Sequence, residues 1–62
     1  MSPISKETIE EVNKGNRQHF THEGQEYALD KSNLGGNYLL FKVDGKWVGL
    51  TYCGSNPGEF FE

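Results

Sequence analysis

Apolar residues concentrate most densely over residues 37–53, in two runs rich in aromatic and branched side chains. There Tyr38-Leu39-Leu40-Phe41-Lys42-Val43 and Lys46-Trp47-Val48-Gly49-Leu50-Thr51-Tyr52-Cys53 flank the pair Asp44-Gly45. Asp-Gly supplies the positive φ angles of a type I′ turn, whose twist matches that of antiparallel strands, so the segment predicts a β-hairpin. A two-residue loop pairs Val43 with Lys46, Phe41 with Val48 and Leu39 with Leu50. Because side chains alternate across a strand, Leu39, Phe41, Val43, Val48, Leu50 and Tyr52 then share a core face. Tyr38, Leu40, Lys42, Trp47, Gly49, Thr51 and Cys53 fall on the other. A three-residue loop with a bulge would instead set Lys42 opposite Lys46. That brings like charges together and breaks up the apolar set, so the two-residue loop is preferred.

Residues 17–30 carry a second, weaker alternation around Glu23-Gly24, which predicts another hairpin with Phe20 opposite Tyr27. Phe20, Tyr27 and Leu29 share one face, Thr21, Glu26 and Ala28 the other, and Thr21–Glu26 and Arg17–Asp30 form cross-strand polar pairs.

Ahead of it, residues 5–14 have helical spacing. Ser5 suits the N-cap, Glu7 the positive end of the helix dipole and Lys14 the negative end. Ile4 and Ile9 have the spacing of a hydrophobic staple, and Gly15 supplies a left-handed stop. The apolar stripe, Ile9 and Val12, is thin, and a helix of about ten residues is unstable alone, so it must dock on the sheet. Residues 31–36, with Gly35-Gly36, form a linker in which Leu34 plugs the edge of the core. Residues 54–62 form a tail in which Asn56, Pro57 and Glu59 have capping-box spacing, and at least one of Phe60 and Phe61 is expected to be buried. The chain is thus expected to be a single α+β domain, a short N-terminal helix packed on a four-stranded antiparallel sheet made of two β-hairpins.

Composition narrows the function. Sixty-two residues leave no room for a second domain, and a chain this short is marginally stable by itself. Cys53 is the single cysteine, so no intramolecular disulfide forms, and a reducing, cytoplasmic setting is expected. No apolar run approaches the roughly 20 residues that cross a bilayer, and the start Met1–Lys6 has no signal-like apolar stretch. The net charge of −3 disfavours duplex nucleic acid and mildly favours a protein partner.

Candidate chemistry is sparse. His19 and His22 are three apart, which on a strand puts them on opposite faces, and zinc wants three or four ligands. Cys53 has no elbow motif and no orienting third group around it, and the scattered glycines match no phosphate-binding loop. No enzyme activity, metal or cofactor is expected. The remaining feature is the second face of the main hairpin, where Tyr38, Leu40 and Trp47 form an aromatic-rich patch rimmed by Lys42, Lys46 and Thr51. Two structural roles compete with binding there: Trp47 covering the bare backbone of Gly49, or burial of the whole face under the helix. The reading is a small acidic protein-binding module, an inhibitor or accessory factor that occludes a larger protein partner. By size alone it is of the kind phages and mobile elements often encode. The alternatives are a single-stranded nucleic-acid binder using Tyr38, Trp47, Lys42 and Lys46, or a structural subunit that self-associates as a homodimer through the same face.

Overall fold

The structure, a computed structural model, describes residues 3–61. Met1 and Ser2 of the start segment and Glu62 of the tail lie outside the described residues. Helix α1 spans Lys6–Asn13, strands β1 Gln18–His22, β2 Gln25–Lys31, β3 Asn37–Val43 and β4 Lys46–Gly54, and a 3₁₀ turn closes the chain at Pro57–Phe61. The strands form one antiparallel sheet in the order β1-β2-β3-β4, with α1 against β1 and β2. This is the α+β arrangement, one short N-terminal helix on a four-stranded sheet, that the alternation predicts.

Local chemistry sets the ends of α1. Ser5 Oγ accepts from the Thr8 amide at 3.1 Å, and the helix stops where Gly15, at φ 96°, takes a left-handed turn. In the first hairpin Phe20 pairs with Tyr27 and Thr21 with Glu26 around Glu23-Gly24, while Arg17 Nη2 donates to Asp30 Oδ2 at 2.8 Å. The core lies between α1 and the two central strands. Ile4, Val12, Leu29 and Leu39 are buried there, and Ile9, Phe20, Tyr27, Cys53 and Phe61 pack around them. Burying each leucine contributes about 1.5–3 kcal/mol.

The second hairpin keeps its expected turn and then departs from the expected register. Val43 pairs with Lys46 and Phe41 with Val48, but Leu39 pairs with Thr51, not Leu50. A β-bulge inserts Leu50, and a second irregularity inserts Cys53 before Asn37 meets Gly54. Each extra residue shifts the alternation of the strand beyond it. Thr51 and Cys53 therefore lie on the helix side and Tyr52, opposite Tyr38, on the far side, the reverse of the two-face assignment.

The expected core set is corrected in a second way. Leu39 is fully buried and Phe41 half-buried, but Val43 and Val48 are 41% and 42% exposed, and Leu50 is exposed too. The reason is placement. α1 packs on β1 and β2, and the closing 3₁₀ turn is what meets β3 and β4, so the turn end of the second hairpin is left bare. Leu34 does not plug the core edge: it is 85% exposed, at the tip of a turn in which Gly35 donates to the Ser32 carbonyl. The tail folds back, and Phe61 meets Phe20, His22 and Tyr27 at ring separations of 5.0–5.6 Å, while Phe60 stays exposed.

Candidate interaction face

With α1 and the Phe61 turn both on one side, the opposite side of the sheet carries His19, Thr21, Glu26, Ala28, Asp30, Tyr38, Leu40, Lys42, Trp47, Gly49 and Tyr52. Backbone pairing positions the functional side chains. Lys42 stands directly across from Trp47, and Leu40 across from Gly49 on one side and Ala28 on the other. Gln25 Nε2 donates to the Lys42 carbonyl at 2.8 Å, so a side chain continues the β2–β3 ladder where the backbone pairing ends.

Trp47 anchors the face. Its ring lies 5.5 Å from Lys42 Nζ, a cation–π contact worth about 0.5–1 kcal/mol at an exposed site. On β1, His19 packs its ring against the indole at 5.0 Å between centroids. The bare backbone of Gly49 is covered by Tyr38 and not by Trp47: a Cβ at position 49 would meet Tyr38 Oη at 2.7 Å. Tyr52 is drawn to the rim by a 2.6 Å hydrogen bond from its hydroxyl to the Gly35 carbonyl. The face is thus a set of aromatic side chains on one side of the sheet, with Tyr52 tied at its tip and Trp47 in contact with Lys42 and His19.

Of the residues singled out in the sequence, Tyr38, Leu40, Lys42 and Trp47 come together here. Lys46 pairs with Val43 at the turn and belongs to the helix-side row, and Thr51, carried across by the Leu50 bulge, faces the core side. Sequence reasoning missed His19 and Tyr52. The signal for Tyr52 was Gly49, because a glycine inside a strand marks a bulge and hence a change of face. His19 joins Trp47 across two intervening strands, a juxtaposition that no local pattern carries.

The histidines diverge as the strand alternation requires, His19 to the aromatic face and His22 onto Phe61. Among the described residues no three His, Cys, Asp or Glu side chains gather in a metal-binding group. A cleft of about 270 Å³ opens at the end of β4, lined by Thr51, Tyr52, Cys53, Asn56, Glu59 and Phe60. It falls just below the roughly 300–1,000 Å³ of ligand pockets, and no histidine lines it. Burial raises the Cys53 thiol pKa above its ordinary value, with a backbone hydrogen bond at Leu39 opposing, so the sulfur is held as the less nucleophilic thiol. No described helix is long and apolar enough to cross a membrane. Comparison with protein-family models, with curated proteins and with solved structures finds no match.

Proposed function

We propose that the chain is a small non-enzymatic binding module, an inhibitor or accessory factor that occludes a larger protein partner with the aromatic face of its sheet. The observation that carries this reading is the division of labour between the faces. One side of the sheet receives the helix and the Phe61 turn, and the other bears Tyr38, Leu40, Trp47 and Tyr52. Tryptophan and tyrosine supply large contact area at small entropic cost, and they dominate protein interfaces. Here Trp47 is held by His19 and Lys42 and Tyr52 by its hydrogen bond to Gly35, which lowers the ordering cost of binding for those two rings.

Base stacking on Trp47 is the weaker reading, because Lys42 and His19 already occupy its surroundings and Glu26 and Asp30 share the face. The test is recovery of a partner by the wild-type protein, a Trp47→Ala, Leu40→Ala variant and a Val43→Ser control on the helix side. Each variant is first checked for folding by circular dichroism. A partner retained by the control and lost by the double variant supports the proposal. A partner held equally by all three overturns the assignment of the face. Trp47 fluorescence quenched by a single-stranded oligonucleotide, with steep weakening by salt, would replace it with the nucleic-acid reading.

A further inference from the structure

The free edge of β4 makes a more specific demand than an apolar patch does, because its backbone asks for another strand at a fixed spacing. β4 is an outer strand of nine residues without an acidic side chain, whereas β1, the other outer strand, has five. The two-residue turn decides which of its backbone groups are free. Val43 and Lys46 close that turn as a hydrogen-bonded pair, so Lys46 and Val48 direct their N–H and C=O groups inward to β3. Trp47 and Gly49 direct theirs outward. The bulge at Leu50 ends the regular run.

We propose that this edge pairs antiparallel with the same edge of a second copy of the chain, about a two-fold axis at Val48, to make one continuous eight-stranded sheet. An isologous contact needs a self-complementary strand, and β4 is one about this axis. Trp47 of each copy exchanges both backbone hydrogen bonds with Gly49 of the other, using the outward groups of the regular run. The bulk of the indole then lies opposite a residue with no side chain. Val48, 42% exposed in the single chain, meets its own counterpart across a non-hydrogen-bonded position, where side chains approach closest. Lys46 falls opposite Leu50, over which its methylene stem can lie.

Other registers fit less well. An axis at Trp47 sets the two indoles against each other although His19 and Lys42 already hold them. An axis at Gly49 pairs Trp47 with Thr51 beyond the bulge. Local charge does not stand against a second copy: the chain carries −3 in all, but β4 itself brings one lysine and no acid to the edge. The two Lys46 side chains are offset by four residues along the strands, about 14 Å, beyond the Debye length of about 8 Å at physiological salt. A strand pair this short buries less than the roughly 1,200 Å² of a standard interface, so the dimer is expected to be reversible and concentration-dependent. This inference stands apart from the aromatic-face reading, and either can fail alone.

The register is tested by cross-linking. A non-hydrogen-bonded antiparallel pair has its Cα atoms about 4.5 Å apart, inside the range a disulfide spans. In a Cys53→Ser background, Val48→Cys is expected to oxidise to a covalent dimer, and Val43→Cys, near the turn and away from the axis, is not. Without cross-linking, sedimentation of the wild type from micromolar to millimolar concentration should show dimer. Val48→Lys, folded by circular dichroism, should weaken it more than tenfold by placing two ammonium groups on the axis. A wild type that stays monomeric throughout, a dimer indifferent to Val48→Lys, or Val43→Cys that cross-links as readily as Val48→Cys would each overturn the proposal. A dimer lost in Leu40→Ala but kept in Val48→Lys would move the contact to the aromatic face and overturn it as well.

Discussion

Trp47 and His19 touch across the whole sheet: their rings lie 5.0 Å apart at 32°, although they belong to its two outer strands. In a flat sheet β1 and β4 would be about 14 Å apart, three strand spacings. Both side chains are long enough to lean inward over the sheet, and Ala28, the residue paired with His19, is small enough to leave them room. Ala28 is fully buried on a face that no helix covers, so the cover over it is supplied by the neighbouring side chains themselves.

Enlarging Ala28 should therefore dislodge Trp47. Ala28→Leu adds three carbons beneath the His19–Trp47 contact, and overpacking of this kind costs about 1–3 kcal/mol. The expected result is a red-shifted tryptophan emission, a weakened near-ultraviolet signal and a lower urea midpoint, with the far-ultraviolet spectrum of the sheet retained. An unchanged emission maximum would mean that the indole does not lie over Ala28.

The unequal cover on the helix side separates residues that look alike in sequence. Leu39→Ala and Leu29→Ala remove fully buried side chains and should each cost about 2–5 kcal/mol. Val43→Ala, at a position that α1 leaves bare, should stay within about 0.5 kcal/mol in the monomer, as surface changes do. Urea unfolding of the three variants at low protein concentration makes the comparison, and a Val43 effect as large as that of Leu39 would contradict the described packing.

That contrast also marks how far the chain's pattern is legible. Asp44-Gly45 announces the turn, so the pairs Val43–Lys46 and Phe41–Val48 can be counted from it, and Ser5 and Gly15 announce the ends of α1. The pairing fails at Leu50, where the bulge moves Thr51 off the proposed patch and brings Tyr52 onto it. Alternation is a count of residues from the turn, and one inserted residue changes every face beyond it. Gly49 carried a warning of the bulge but not its direction. Leu34 misled because hydrophobicity alone says nothing about whether a turn points inward or outward. The Trp47–His19 contact spans all four strands, so no single strand's pattern carries it.

The turn into β3 makes a sharper prediction. Gly36 has φ 73°, and a Cβ there would lie 2.5 Å from the Gly54 carbonyl oxygen, a backbone atom with no side-chain freedom to yield. Gly54 is also fixed from its other neighbour, since its carbonyl accepts from Asn37 Nδ2 at 3.0 Å. Gly36→Ala should accordingly destabilise well beyond the roughly 1 kcal/mol expected for a left-handed alanine alone. Gly35→Ala, at φ 86° with open space around its added Cβ, should show only that conformational cost. Equal midpoints for the two variants would show that β3 and β4 can separate at this end.

The Cys53 thiol links stability to alkaline pH. Burial raises its folded pKa above the ordinary value, which means that the folded state favours the protonated form. The stabilisation is fully present below the unfolded-state pKa and is lost as pH rises through the folded one. The Lys14 ammonium, raised through its hydrogen bond to Glu11, contributes loss in the same direction, so the cysteine part must be isolated by difference. Urea midpoints of the wild type and Cys53→Ala should converge or cross as pH is raised through the thiol range, because only the wild type pays for ionising a sulfur packed beside the core. In parallel, alkylation of Cys53 at neutral pH should be slower in the folded protein than in urea. Equal alkylation rates in both states would show that the sulfur is not shielded, and a pH-independent difference between the two midpoints would remove the linkage.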